Sequence, residues 1–232
     1  MFRRQALLTP AECGRLAEQV KALEPSWARR HEVLPSFTLG AAAYLDIPTA
    51  GLAAYRIRAA RSNPLLRASF EGVYGALQQG LAQVLGAPTA LSPRLALPGF
   101  HLFLHHPLLA TLMPSLHFDL QWNLLRWPEA EAAPPDHHRS FTVLIEAGEG
   151  GAGLWTWPIA YDPEQNLNER ELRALVHGQE PLRHEYHLGE LFVHSGRMLH
   201  QIDSTRSMAP GQARITLQGH AFFSGGTWLL YW

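Results

Sequence analysis

"GELFVHSGRMLHQID", residues 189–203, is the stretch on which the reading of this chain turns. Leu191, Phe192 and Val193 form a short apolar run of strand composition, Ser195-Gly196 is a tight-turn pair, and a second strand-like run begins near His200. A strand, a turn and a strand within fifteen residues is β architecture. Working outward, segments of the same composition follow one another from residue 93 onward. Among them are "LALPGFHLFLH", "SLHFDLQWNLL", "RSFTVLIEAG", "GLWTWP", "LRHEYHL", "ARITLQGHAFF" and "TWLLYW", separated by Gly, Pro and Asp. Many short strands of this kind predict a sandwich or a double-sheet jelly roll.

The first ninety residues read differently. Thr9-Pro10-Ala11-Glu12 is a capping box with proline at the first helical position, which predicts a helix over about 10–23. Asn63-Pro64 repeats the start signal. It precedes Leu66, Phe70, Val73, Leu77 and Leu81 at helical spacing and a stop at Gly86-Ala87-Pro88. A third helix is expected over 168–177, from the Asn168–Glu171 box to Gly178. Helices first and a β-rich body after them give an α+β fold. The expected domain is one, spanning 1–232: residues 1–90 form a mainly helical N-terminal part packing on a jelly-roll (double-stranded β-helix) core at 91–232.

Composition narrows the function. Hydrophobic residues make up 47% of the 232 positions and charged residues 17%, which is globular and not disordered. The formal net charge of −1, with no basic stripe, argues against nucleic acid as partner. One cysteine, Cys13, excludes an internal disulfide and any multi-thiolate metal site. No run approaches the roughly 18 apolar residues that span a bilayer, and the start carries no secretory signal pattern. A cytoplasmic protein acting on a small molecule or peptide, with no membrane partner, is the expectation.

The chemistry begins at "PSLHFDLQWN", residues 114–123. On an extended strand side chains alternate, so His117 and Asp119 project to one side, as does Gln121, which could orient Asp119 or meet a substrate. One imidazole and one carboxylate side by side can hold two positions of a metal ion, yet the pair by itself is weak. Its context is a further histidine 83 residues on, His200, and then Arg214 and Thr216, again two apart on a strand. His194 is the competing third ligand. The segment 128–138, polar and proline-rich, is either a lid or a plain connection. His137 and His138 within it read as solvated. His184 and His187, three apart, read as surface residues facing opposite sides.

His-x-Asp, a distant His and Arg-x-Thr in this order resemble the iron(II)- and 2-oxoglutarate-dependent oxygenases, over about residues 93–223. The stretch "FTVLIEAGEGGAGLWTWP" is similar to that family's middle strand and the glycine-rich turn after it. The resemblance implies a double-stranded β-helix, with Fe(II), 2-oxoglutarate and O2 as cofactors and His117, Asp119 and His200 as ligands. In the family the last ligand precedes the arginine by about ten to fifteen residues. Arg214 follows His200 by 14 and His194 by 20, which selects His200. Two histidines and a carboxylate leave three iron positions open. The keto acid of 2-oxoglutarate chelates two and dioxygen takes the third. The far carboxylate of the cosubstrate suits the planar fork of Arg214, with Thr216 beside it as a hydroxyl donor. His101 and His105 lie where the family often adds a polar contact to the cosubstrate, and are carried as candidates beside the plainer reading of core or rim residues. Trp122, Trp155 and Trp157 either line a substrate pocket or fill the core.

The implied activity is a dioxygenase, most simply a hydroxylase of an unactivated carbon. A cupin-like metal protein would carry a His-x-His pair, which is absent. A non-catalytic binding protein on the same fold is the other alternative. A halogenase would need a small residue where Asp119 stands.

Overall fold

A computed structural model describes residues 2–110, 114–125, 137–148, 152–165, 167–203 and 208–232. Strand β1 (Arg3–Ala6) is followed by helix α1 (Pro10–Ala22), then β2 (Ala28–Arg29) and β3 (Ser36–Leu39). Helix α2 (Ala43–Leu85) leads to β4 (Thr89–Leu91) and β5 (Gly99–Leu104). After these come β6 (His138–Glu146), β7 (Ala152–Ala160), helix α3 (Glu169–Val176), β8 (Leu182–Tyr186), β9 (Glu190–His194), β10 (Met198–Ile202), β11 (Ala213–Ser224) and β12 (Thr227–Tyr231).

Both predicted capping boxes form. Thr9 accepts from the Glu12 amide while Glu12 returns to the Thr9 N–H, and Asn168 and Glu171 do the same at the start of α3. The start at Asn63-Pro64 does not exist. Helical structure begins at Ala43 and runs through Pro48 and Pro64, with breaks in φ/ψ at Gly51 and Phe70, before Gly86 ends it in the left-handed region. Asn63 is used elsewhere. Its amide donates to the Leu95 carbonyl at 2.9 Å and its oxygen accepts from the Leu97 N–H at 3.0 Å, tying the helix to the chain that enters β5.

The strands form two sheets. The larger runs β1-β9-β6-β11-β5-β3-β2, with β12 beside the second half of β11 and β4 beside β12. The smaller is β10-β7-β8. The stretch 189–203 is therefore not a hairpin: β9 pairs with β1 and β6, β10 pairs with β7, and the turn at Ser195-Gly196 hands the chain from one sheet to the other. That transfer makes the jelly roll.

Strand β11 organises the core. Ala213, Ile215, Leu217 and Ala221 pack with Leu66, Phe70, Tyr74, Leu77 and Leu81 of α2 and with Leu16, Ala17 and Val20 of α1 on the outer face of the large sheet. Period-2 alternation sends Arg214, Thr216, Gln218 and His220 to the opposite face, toward the small sheet. At the far edge, Leu116, Trp157, Leu172 and Leu199 join α3 to the small sheet. A buried ion network holds the start of α2. Asp46, fully buried, receives both terminal nitrogens of Arg30, at 2.5 and 3.3 Å, and Arg58 at 2.5 Å. Among the described residues no helix is long and apolar enough to cross a membrane.

Candidate metal centre

The segment bearing His117 and Asp119 is extended but is not a regular strand. His117 exchanges both backbone hydrogen bonds with His200 of β10, at 3.0 and 3.1 Å, and the Asp119 N–H donates to the Gly196 carbonyl at 2.8 Å. Gln121 then opens a short 3-10 turn, Gln121–Leu124. The HxD segment is in effect a two-residue ladder laid along the turn that joins the sheets, which brings positions 117, 119 and 200 together across 83 residues of chain. Gly196 is required there. Its φ is +72°, and a Cβ would stand 2.8 Å from the Asp119 Cβ and 3.0 Å from the Ser140 hydroxyl oxygen.

Side-chain atoms of His117, Asp119 and His200 lie within 4.8 Å of one another, close enough to share one metal ion. The Nε2 atoms of His117 and His200 stand 3.8 and 3.5 Å from Asp119 Oδ1. His194 approaches the other oxygen, with Nε2 3.8 Å from Oδ2. Hydrogen bonding separates the three imidazoles. Carbonyl oxygens only accept, so the His117 Nδ1, 3.0 Å from the Ser115 carbonyl, and the His200 Nδ1, 2.7 Å from that of Met198, must carry the proton and donate. Both rings, when neutral, therefore turn an Nε2 lone pair toward the centre, the form that binds metal. His194 is the reverse. Its Nδ1 accepts from the Gly196 N–H at 3.2 Å, which puts the proton of the neutral ring on Nε2.

Charge in the cluster is strongly coupled. Burial alone would raise the Asp119 carboxyl, but His200 foremost, with His194 and His220, holds it well below the usual carboxylate range. Burial opposes charge on His200, and Asp119 outweighs it, so that ring is pushed up. Burial drops His117 to about 4 and His194 to about 3.

A cavity of about 820 Å³ opens over this cluster. The other sequence-predicted residues divide. Gln121 lines it and donates to Asp119 Oδ1 at 3.3 Å. His101 lines it too, between the Ser36 and Tyr44 hydroxyls at 3.3 Å each, and burial with the charge of Arg214 drops it to about 3. His105 lies past the end of β5 and does not line the cavity. Trp122 stacks on His138 with centroids 4.7 Å apart, and Trp155 donates its indole N–H to Asp203 at 3.0 Å; neither borders the cavity, and Trp157 is core. His138 opens β6 and is buried, correcting its reading as a solvated loop residue. His184 is only part-buried, and His187 is exposed. The question of a lid falls mostly on residues outside those described.

Arg214 and Thr216 are both buried, on the face of β11 that carries the lining residues Gln218 and His220. Thr216 sits in register with His101. Arg214 donates to the Asp203 carbonyl at 2.8 Å and stands near Tyr186, a lining residue whose phenol is pushed up to about 12 by burial against the pull of Arg214. His220, Gln218, Tyr186 and Tyr44 were not singled out from sequence. For the first two the signal existed, because the alternation that pairs Arg214 with Thr216 continues to 218 and 220. Tyr44 comes from α2, where nothing local marks it.

The jelly roll that carries this His-Asp-His group at the junction of its sheets has the fold of solved α-ketoglutarate-dependent enzymes. Among solved structures, a novel N-substituted L-amino acid dioxygenase from Burkholderia ambifaria AMMD, in complex with α-ketoglutarate, matches 99% of this chain and 85% of its own. The identity is 14% and the TM-score 0.57. The non-haem, α-ketoglutarate-dependent epimerase SnoN of nogalamycin biosynthesis matches 97% and 82% (13% identity, TM-score 0.55). The carbocyclase SnoK of the same biosynthesis matches 100% and 92% (12%, 0.54). At such identities the likeness is one of fold. No family model matches the sequence, and neither does any curated protein.

Proposed function

We propose that this protein is an Fe(II)- and 2-oxoglutarate-dependent dioxygenase that hydroxylates an unactivated C–H bond of a small molecule or peptide, with release of succinate and carbon dioxide. The observation that carries the reading is the tautomer pattern. The two histidines facing Asp119 Oδ1 are each locked by a backbone carbonyl into the metal-binding form, and the competing His194 is locked into the other. Bound there, iron with 2-oxoglutarate and dioxygen supplies the oxidising power that breaks a C–H bond. The chain supplies the rest. His117, Asp119 and His200 would hold the ion, a ligand set suited to a non-haem iron. Gln121 fixes the Asp119 carboxylate. Arg214, buried beside Tyr186 and anchored by the Asp203 carbonyl without itself bordering the cavity, is assigned to the distal carboxylate of 2-oxoglutarate, with Thr216 beside it. We read the chain as one domain, because a single core cluster mixes residues of α1, α2 and the large sheet.

Anaerobic titration with Fe(II) and 2-oxoglutarate should develop the weak visible charge-transfer band of a chelated keto acid. His200→Ala should abolish it and His194→Phe should retain it. A band that survives in His200→Ala and vanishes in His194→Phe would refute the assignment.

A further inference from the structure

The cavity over the metal centre has a wall of unusual charge content. Among its described lining residues Asp119, a proposed metal ligand, is the one acidic side chain, and no lysine or arginine borders it. The cations whose charge reaches its buried tyrosines and His101 are committed, Arg4 among them to Glu190 at 2.6 Å. Arg30 is held by buried Asp46, and Arg214 stands by Tyr186, tied to the Asp203 carbonyl and assigned above to the cosubstrate. What the wall does offer is aromatic surface. Phe118 and Tyr161 meet edge to face at 5.5 Å, and Tyr44 and Trp232 at 6.5 Å. Its lining also carries the Asn123 and Gln218 amides and the hydroxyls of Tyr44 and Tyr161. Ligand cavities run from about 300 to 1,000 Å³, and at about 820 Å³ this one is of a size for a drug-sized molecule.

Resting on the function proposed above, we infer that the substrate is an uncharged, ring-bearing small molecule carrying hydroxyl or carbonyl groups, and not an amino acid, a phosphate ester or another ionised compound. The physical reason is desolvation. Apart from Asp119, an ionised group moved from water onto the described lining residues meets no acidic, lysine or arginine side chain, and an unpaired buried ion is far costlier than a neutral polar group that finds one hydrogen bond. Rings gain twice, from burial of apolar area and from edge-to-face contact with the two aromatic pairs.

Three probes with one ring skeleton test this: 2-naphthylmethanol, 2-naphthoate and 2-naphthylmethylammonium. Each is titrated into protein loaded anaerobically with Fe(II) and 2-oxoglutarate, and the perturbation of the visible band gives its affinity. The alcohol should bind at least about tenfold more tightly than either ion. In Leu124→Arg, which places a cation at a part-exposed lining position outside the core clusters, the carboxylate should gain at least about tenfold. Either ion binding the wild type as tightly as the alcohol would overturn the inference, and so would failure of all three to bind. If no band forms, it is the proposed function that has failed. Calorimetric titration of the same probes into metal-free protein then decides this inference by their order of affinity.

Discussion

Gly196→Ala puts the link between fold and site to the test. The residue sits at φ +72°, a region in which a side chain costs about 1–2 kcal/mol. Its new methyl would also stand 2.8 Å from the Asp119 Cβ, 3.0 Å from the Ser140 hydroxyl and 3.2 Å from the Asp119 carbonyl oxygen. Carbon atoms rest at about 3.5–4.0 Å, so Asp119 must retreat by close to 1 Å, and forced overpacking of this kind costs about 1–3 kcal/mol. The two effects together destabilise the domain by about 2–5 kcal/mol. They also move the carboxylate proposed to share one ion with His117 and His200. Urea unfolding of the metal-free variant reads the first effect, and anaerobic Fe(II) titration under conditions where it remains folded reads the second. Gly178→Ala is the control. Its φ is +75° with open space where the Cβ would stand, so it should show the backbone cost alone and bind iron as the parent does. If Gly196→Ala stays within about 0.5 kcal/mol of the parent and keeps its iron affinity, the turn does not position Asp119 and the reasoning is wrong.

Arg214→Lys keeps the charge and loses the fork, so 2-oxoglutarate affinity should fall by roughly 1–3 kcal/mol while iron binding persists. Unchanged cosubstrate affinity in Arg214→Ala would remove the arginine from the site. Asp46→Asn should destabilise by about 3–5 kcal/mol, because it leaves Arg30 buried beside a neutral amide. Burial pushes the Asp46 carboxyl up, and Arg30, the Ala42 N–H and Arg58 more than reverse that, so its pKa in the folded protein is depressed. Such a group stabilises fully above the unfolded aspartate value of about 3.9 and loses that contribution as pH falls through its lower folded value. Urea midpoints measured downward from pH 6 should therefore decline more steeply for the parent than for Asp46→Asn. Parallel curves would refute the network's role.

What could be read from sequence was what is local. Both capping boxes, the stop at Gly86 and the β-rich second half followed from short-range rules, since a cap or a turn is decided within four residues. That His117, Asp119 and His200 lie together was legible for a different reason, the first two by alternation and the third through the resemblance to a family. A metal needs particular side chains, and alternation on extended backbone reports which of them share a face even when, as at His117 and Asp119, the segment proves to be a bridge and not a strand. Failures came where long-range partners took over a local signal. Asn63-Pro64 looks like a helix start, but the Asn63 side chain belongs to Leu95 and Leu97, and the helix runs through. His138 follows a polar loop in sequence, yet the sheet takes it inside against Trp122. The choice between His194 and His200 shows the boundary most plainly. Both histidines lie on strands, both are buried, and both face Asp119, so neither composition nor periodicity separates them. Two backbone contacts do, a carbonyl two residues before His200 and an amide two residues after His194. Each assigns a proton, and the placement of those protons leaves His200 the lone pair a metal requires.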